Sequence, residues 1–309
     1  MAKRTLVTGG AGFIGSNIVD ELVRQGEEVI VIDDLSSGKE ENLNKKARFY
    51  KQDIREFESL KRIFERERPE AVLHLAAQVN VRKSYENPLE DLAINVVGSV
   101  NVFELCKLFK VDKVVMSSTG GALYGDDCEI PTPEDAQKKP TSAYGCAKSC
   151  IENYLEYYHR MFGLNYCILR YANVYGPRQN PFGGAGVIAI FLKAMLTGKE
   201  PVIYGGVQTR DFVFVKDVVK ANIFALRKET NTSVNIGTGK ETDVIEIFNR
   251  LNKYFDGKIV PKYEKSCEGE QKRSCLDCGK AKLVLGWAPE SSLEEGLDQT
   301  YGWFAGRVN

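Results

Sequence analysis

Short runs of apolar residues alternate along this chain with longer stretches in which apolar residues recur every three or four positions. Residues 3–8 read as a short buried strand. Ile14, Ile18 and Leu22, with Val19 and Val23, then repeat at helical spacing, and Gly26 supplies the usual glycine at a helix end. Val29-Ile30-Val31-Ile32 is apolar on both faces, as a strand inside a parallel sheet must be. The pattern continues with a helix over 56–66, a strand at 71–75, a helix over 91–109, a strand at 113–117, a helix over 143–162 and a strand at 165–170. Strands separated by helices form βαβ units, so a mainly parallel sheet covered on both faces is expected. The regularity breaks after Tyr175-Gly176-Pro177. From there to about Arg210 the chain reads as loop and helix, with a glycine-rich stretch at 183–186, and another mixed segment runs from Lys240 onward. These segments predict a smaller α/β lobe closing over a ligand site.

Composition narrows the function classes. Lys+Arg and Asp+Glu both total 42, so no global field favours nucleic acid or an anionic membrane surface, and an anionic ligand has to be met by local donors. No run of about 18 apolar residues suggests a membrane span. The first strand reaches Gly9 too soon for a signal-peptide core, so a cytoplasmic location is expected. Eight cysteines (Cys106, Cys128, Cys146, Cys150, Cys167, Cys267, Cys275 and Cys278) are then expected as free thiols. Cys267, Cys275 and Cys278 group loosely, but a four-ligand zinc site lacks a nearby fourth donor, since His74 and His159 lie far off in sequence; no metal is expected.

The chemistry begins at residues 8–15, Thr-Gly-Gly-Ala-Gly-Phe-Ile-Gly, between the first strand and the first helix. Gly9, Gly12 and Gly15 allow a tight turn, close approach of the backbone to a pyrophosphate and close helix packing, while the helix N-terminus offers free N–H groups to phosphate. Asp33, followed by Asp34, ends the second strand. A carboxylate there accepts both adenosine ribose hydroxyls and repels an extra phosphate, which favours NAD over NADP. Asp53 fits the adenine edge or a solvated helix cap equally well. Tyr144 and Lys148, four residues apart, share a helical face. An ammonium beside a phenol stabilises the phenolate and makes it a general base. Upstream, Ser117-Ser118-Thr119 places hydroxyls at a strand's carboxyl end, where open parallel sheets bind their ligands.

With these residues in view, the chain resembles the extended short-chain dehydrogenase/reductase family, and within it the UDP-glucose 4-epimerases. The resemblance runs through residues 8–15, 33–38, 74–77, 117–125, 169–178 and 235–239, together with Asn95, Tyr144, Lys148, Arg210 and Asp211. It implies a Rossmann-type doubly wound parallel sheet for 1–174, with 211–238 returning to it. It implies a nucleotide-sugar lobe built from 175–210 and 239–309. It further implies NAD held by Gly9, Gly12, Phe13, Ile14 and Gly15, by Asp33, Asp34, Leu35, Ser37 and Gly38, and by Asp53 and Ile54. Leu75, Ala76, Ala77, Asn95, Ser117 and Tyr171 complete that set with Tyr144 and Lys148.

The implied mechanism has Tyr144 taking the sugar 4-hydroxyl proton while hydride passes from C4 to NAD, then a turn of the 4-keto sugar and return of hydride to its other face. Lys148 would hold the nicotinamide ribose and depress the Tyr144 pKa, and Thr119, or failing it Ser118, would hold the 4-oxygen. Asn173, Val187, Tyr204, Arg210 and Glu270 would surround a UDP-sugar. Arg210 reads as a phosphate clamp or as an ion-pair partner of Asp211. Two features depart from or refine the pattern. Cys267 stands where many relatives carry a diphosphate-binding arginine, leaving Lys265, Lys272 or Arg273 to compensate. Ser274 is small where a bulky residue often restricts the sugar, which would leave room for an N-acetyl group.

Related dehydratases carry an Asp-Glu pair after this threonine and decarboxylases a nearby Glu; here Gly120-Gly121 follow. The expectation is an isomerase interconverting UDP-glucose and UDP-galactose, with a UDP-glucuronate decarboxylase, a dehydratase or a non-catalytic NAD-binding protein as alternatives. By the same resemblance a homodimer pairing the 91–109 and 143–162 helices is expected, with no nucleic-acid or membrane partner.

Overall fold

The computed structural model describes residues 3–182, 186–265 and 271–307. Its centre is a seven-stranded, wholly parallel sheet. The strands are β1 (Arg4–Thr8), β2 (Glu28–Asp33), β3 (Arg48–Lys51), β4 (Ala71–His74), β5 (Lys113–Thr119), β6 (Asn165–Tyr171) and, arriving late in the chain, Thr232–Ile236, designated β10 below. Across the sheet the order is β10-β6-β5-β4-β1-β2-β3. The chain therefore builds outward from β1 to β3 and then crosses back to lay β4 on the other side of β1. That reversal opens a crevice above the carboxyl ends of β1 and β4, where ligands of such sheets bind.

Alternate strand residues feed two cores. Val7, Val31, Leu73, Val115, Leu169 and Val234 face one side, under α1 (Phe13–Arg24) and the later helix α8 (Val215–Arg227). Leu6, Ile30, Val72, Val114 and Ile168 face the other, under α2 (Phe57–Glu67), α5 (Gly98–Leu108) and α6 (Ala143–Phe162). This two-sided burial explains why the central strands read as continuous apolar runs. The short edge strand β3 has no such signature and is not announced by the hydrophobic pattern.

The expected helix over 91–109 differs in its start and its interior. It begins with α3 (Val81–Glu86) and α4 (Pro88–Leu92), the latter capped by Asn87, whose side chain accepts from Glu90 N at 3.2 Å. A π-helical turn, Ala93–Val97, then leads into α5.

β7 (Asn173–Tyr175), α7 (Val187–Leu196), β8 (Val202–Tyr204), β9 (Thr209–Phe214), β11 (Glu241–Asp243), α9 (Val244–Asn252), β12 (Lys262–Glu264), β13 (Arg273–Ser274), α10 (Gly279–Leu285) and α11 (Leu293–Ala305) complete the chain. β9 is paired with β7, β11 and β13, and β12 with β8. A third core, including Phe191, Phe212, Phe214, Phe248 and Phe304, joins α7, α9 and α11 to this small sheet, with Phe13 and Ile14 of α1 packed against it. α8 and β10 return to the main sheet in between. No described helix is long and apolar enough to cross a membrane. The seven described cysteines form no disulfide, and no group of His, Cys, Asp or Glu among the described residues could hold a metal; Cys267 lies outside them.

Candidate active site

A cavity of about 460 Å³ lies over the carboxyl ends of β1, β2, β4 and β5. Its floor is the glycine turn. Gly9 takes a left-handed φ of +72°, and a Cβ on it would stand 2.7 Å from Ala76 N, so the turn is pressed onto the residues following β4. A Cβ on Gly15 would stand 2.1 Å from Gly9 O. Gly12, the N-cap of α1, provides no side-chain cap, which leaves the helix N-terminus facing the cavity with its amide donors and positive dipole end.

Asp33 is 7% exposed and accepts from Ala11 N and Leu35 N, both at 2.9 Å. Burial, the larger effect, and the charge of Asp34 raise its pKa, while the two amides work against them. The carboxylate is thus fixed by the turn itself and keeps acceptor capacity toward the cavity. A loop of glycine amides on one side and a fixed carboxylate on the other fit a dinucleotide: diphosphate on the amides, ribose hydroxyls on Asp33.

Gly9, Gly12, Phe13, Ile14, Gly15, Asp33 and Asp34 all line this cavity. Ser37, Asp53, Ile54, Leu75, Ala76, Ala77, Ser117 and Tyr171 join them, as do Tyr144 and Lys148. Leu35, Gly38 and Asn95 stand behind the wall. A Cβ on Gly38 would meet Asp33 Oδ1 at 2.8 Å, and Asn95 exchanges hydrogen bonds with the Gln78 backbone. Asp53 lies on the wall and pairs with Arg55 at 2.5 Å, which lowers its pKa; the cap of α2 is Glu56, not Asp53.

Ser142 caps α6, accepting from Gly145 N at 3.0 Å, and Gly145 passes so close to the loop after β5 that a Cβ would stand 2.4 Å from Ala122 O. This packing sets Tyr144 and Lys148 against the end of β5. Lys148, 4% exposed, donates to Ser117 O at 3.0 Å, and its ammonium lies 5.9 Å from the centroid of the Tyr144 ring. Burial lowers the Lys148 pKa to about 8, against the opposing pull of Glu152 and Asp91.

One expectation is corrected here. The Tyr144 phenol does not lie below its ordinary value. Burial, and secondarily the Asp91 carboxylate, push it up, and the ammonium that was to depress it is turned toward the Ser117 carbonyl. Ser118 lines the cavity while its hydroxyl donates to the buried Glu152 at 2.6 Å, which leaves its oxygen free to accept. Thr119 itself accepts from Ala122 N at 3.2 Å.

The substrate set is less assembled. Thr119, Asn173 on β7, Val187 at the start of α7, Tyr204 on β8 and Arg210 on β9 do not line this cavity. Arg210 donates to the carbonyls of Thr209 and Gln271 at 2.8 and 2.7 Å, and so braces the strand that carries Ser274. The buried Asp211 accepts from Thr238 and Gly239, so it caps a turn. Arg273 pairs with Glu241 at 2.5 Å, which commits it elsewhere. Glu270 and Cys267 lie outside the described residues.

Sequence reasoning missed several groups. Asp91, Gln78, Gln179 and Asn180 also line the cavity. Glu152, fully buried, holds Arg170 and Lys138, each at 2.7 Å, directly beneath Ser118. The spacing could have found two of them: Glu152 lies one turn beyond Lys148, and Asp91 one turn before Asn95, each on a shared face.

The profile of the NAD dependent epimerase/dehydratase family matches residues 5–237. The chain belongs to that family. NAD is accordingly its cofactor, and the cavity's amides and Asp33 fit it. A UDP-glucose 4-epimerase of Mycolicibacterium smegmatis is 42% identical over 97% of this chain and 98% of its own. The solved UDP-glucose 4-epimerase of Thermotoga maritima with UDP-glucose superposes with a TM-score of 0.97 at 49% identity, covering 99% of this chain and 100% of the other. A UDP-N-acetylglucosamine 4-epimerase of Methanobrevibacter ruminantium in complex with UDP-N-acetylmuramic acid has a TM-score of 0.94 at 36% identity, covering 99% of each chain. Members of this family with nearly the same backbone are thus named for different sugars.

Proposed function

We propose that this family member is a UDP-hexose 4-epimerase that interconverts UDP-glucose and UDP-galactose. The observation that carries the reading is Tyr144 and Lys148 on the wall of the dinucleotide cavity, combined with the glycine next to Thr119. Gly120 packs against Leu276, whose Cδ1 would stand 2.4 Å from a Cβ there, so the position carries no carboxylate and a side chain there would have to displace Leu276. An oxidised sugar then meets no acid/base group at the place where dehydratases carry one, and reduction back to a hexose is the course left to it.

When bound, NAD supplies the hydride acceptor, the returning hydride and the positive charge of its oxidised ring. Tyr144 takes the 4-hydroxyl proton and later returns it. Lys148 holds the nicotinamide ribose, and the raised phenol pKa leaves the phenolate dependent on the positive charge of the oxidised cofactor. Thr119 holds the 4-oxygen. The nucleotide lies between the 1–174 unit, completed by 211–238, and a lobe formed by 175–210 and 239–309, with Asn173, Val187, Tyr204, Arg210 and Glu270 toward it.

Ser274 is 6% exposed, and its hydroxyl lies 3.9 Å from where a Gly121 Cβ would be, so a small side chain stands beside the loop that follows Thr119. We extend the reading on that ground to the N-acetylhexosamine pair. Exposed Leu89, Leu92, Val97, Tyr154, Tyr157 and Met161 on the paired helices α4–α5 and α6 support a homodimer joined through that face.

Proton NMR of purified protein with UDP-galactose, without reductant, tests the function. UDP-glucose appearing to a fixed ratio with no net NADH is expected. An unchanged spectrum refutes the hexose reading, and carbon dioxide from UDP-glucuronate would establish the decarboxylase instead. Absence of turnover with UDP-N-acetylglucosamine would confine the enzyme to unsubstituted sugars.

A further inference from the structure

A carboxylate that the proposed reaction does not use shares a cavity wall with its proton-transferring pair. Asp91, on α4 just before the π-helical turn, is 1% exposed and belongs to the same cavity wall as Tyr144 and Lys148. Its Oδ1 accepts from Gln78 Nε2 at 2.8 Å and from Asn95 Nδ2 at 3.1 Å. Its Oδ2 is buried and has no hydrogen-bond partner. Leaving a buried acceptor unsatisfied is costly, and more so for a charged one. Nothing in the packing of α4 on α6 requires an acid at this position, since an amide of the same shape would keep both bonds at Oδ1.

We propose that Asp91 is a positioning residue for Tyr144 and Lys148: its carboxylate sets the ionisation of both together and so places the pH range in which the pair works. This rests on the reading of Tyr144 and Lys148 as the reacting pair.

The surrounding charges fit that role. Glu152, one turn beyond Lys148 on α6, is the other buried acid beside it, but Arg170, Lys138 and Ser118 already engage it. His74, beneath Lys148 on β4, is held neutral by burial, with its ring nitrogens bonded to Thr8 and Ser99. Arg82, Lys83 and Glu86 on α3 and Glu90 on α4 are exposed, so solvent screens them. Asp91 is therefore the buried charge of the wall whose second oxygen is uncommitted. A negative charge there favours the protonated form of both neighbours, opposing phenol ionisation while keeping the lysine an ammonium.

Asp91→Asn keeps the shape and the two bonds at Oδ1 and removes the charge. Both groups should then release protons at lower pH, so the acid and alkaline limbs of the kcat/KM profile should move down together. The NAD-bound protein gives a readout that does not depend on turnover. Ultraviolet titration of tyrosinate, with the signal of the other 13 of 14 tyrosines removed by subtracting a Tyr144→Phe variant in each background, reports Tyr144 alone. Its midpoint should fall by at least about half a pH unit in Asp91→Asn. An unmoved midpoint in folded Asp91→Asn overturns the proposal, whether or not the enzyme turns over UDP-galactose; loss of epimerase activity with a shifted midpoint would instead fall on the reaction assigned. Gln78→Leu removes one hydrogen bond to Asp91 without changing the charge, and an equal shift in that variant would also overturn it. If Asp91→Asn does not fold, Asp91→Ser carries the same titration.

Discussion

Lowering the pH should destabilise this protein through one side chain, His74, before the carboxylates of its surface contribute much. His74 ends β4, is 2% exposed and meets two hydroxyls: Thr8 Oγ1 at Nδ1 and Ser99 Oγ at Nε2, both at 2.8 Å. Ser99 already donates to Asn95 O at 2.5 Å, so it accepts from the ring, which assigns the proton to Nε2. Thr8 Oγ1 accepts from Leu75 N and Ala76 N, both at 3.2 Å, and so donates to Nδ1. A proton on Nδ1 would leave the Thr8 hydroxyl hydrogen without an acceptor. Burial first, and the Lys148 charge second, take the pKa from 6.5 down to about 3. Because the folded value is lowered, the unfolded chain binds the proton first as pH falls. The contribution is whole above 6.5 and is lost progressively between there and about 3. Each pH unit in that window removes about 1.4 kcal/mol, so about 2 kcal/mol should be gone at pH 5. Urea unfolding at pH 7 and pH 5 measures this in the wild type and in His74→Gln, which cannot titrate. The wild type should lose about 2 kcal/mol more than the variant. Parallel losses, within about 0.5 kcal/mol, would refute the buried neutral imidazole.

The glycine turn and the reacting pair give further expectations. Gly15→Ala places a Cβ 2.1 Å from Gly9 O, a backbone atom that cannot swing aside, so the turn must shift; NAD affinity by calorimetry should fall about tenfold or more. Gly302→Ala, on an open face of α11 with nothing near its Cβ, should raise stability by up to about 1 kcal/mol and leave NAD binding alone; equal effects of the two substitutions would show that the contact at Gly15 is immaterial. Tyr144→Phe should keep NAD and sugar binding and lose about two to four orders of magnitude in kcat, with near-normal turnover refuting the general-base assignment.

The legibility of each part of the site depends on how local its signal is. The glycine turn and Asp33 lie within one βαβ unit, so sequence spacing alone brings them together. Tyr144 and Lys148 share a helix face, and helical geometry does the same for them. Asn173, Val187, Tyr204 and Arg210 come from separate strands and a helix of the smaller lobe, and spacing says nothing about where those elements meet. Asp91 reads in sequence as one acid on a polar helix; only its burial and its unpartnered oxygen mark it. The electrostatics were the least legible. A lysine four residues from a tyrosine suggests a lowered phenol pKa, but Lys148 donates to Ser117 O and burial acts in the opposite direction.

By itself the sequence determined the strand–helix alternation, the two-sided burial of the central strands, the dinucleotide turn with its carboxylate, and the tyrosine–lysine pair, because each depends on periodicity or on contacts a few residues long. Only the tertiary structure decided that Ser118 donates to Glu152, that Leu276 packs against Gly120, and that Asp91 shares a cavity wall with Tyr144 and Lys148. Those outcomes depend on which distant segments pack together, and burial then sets both the hydrogen-bond partners and the charges that the site can hold.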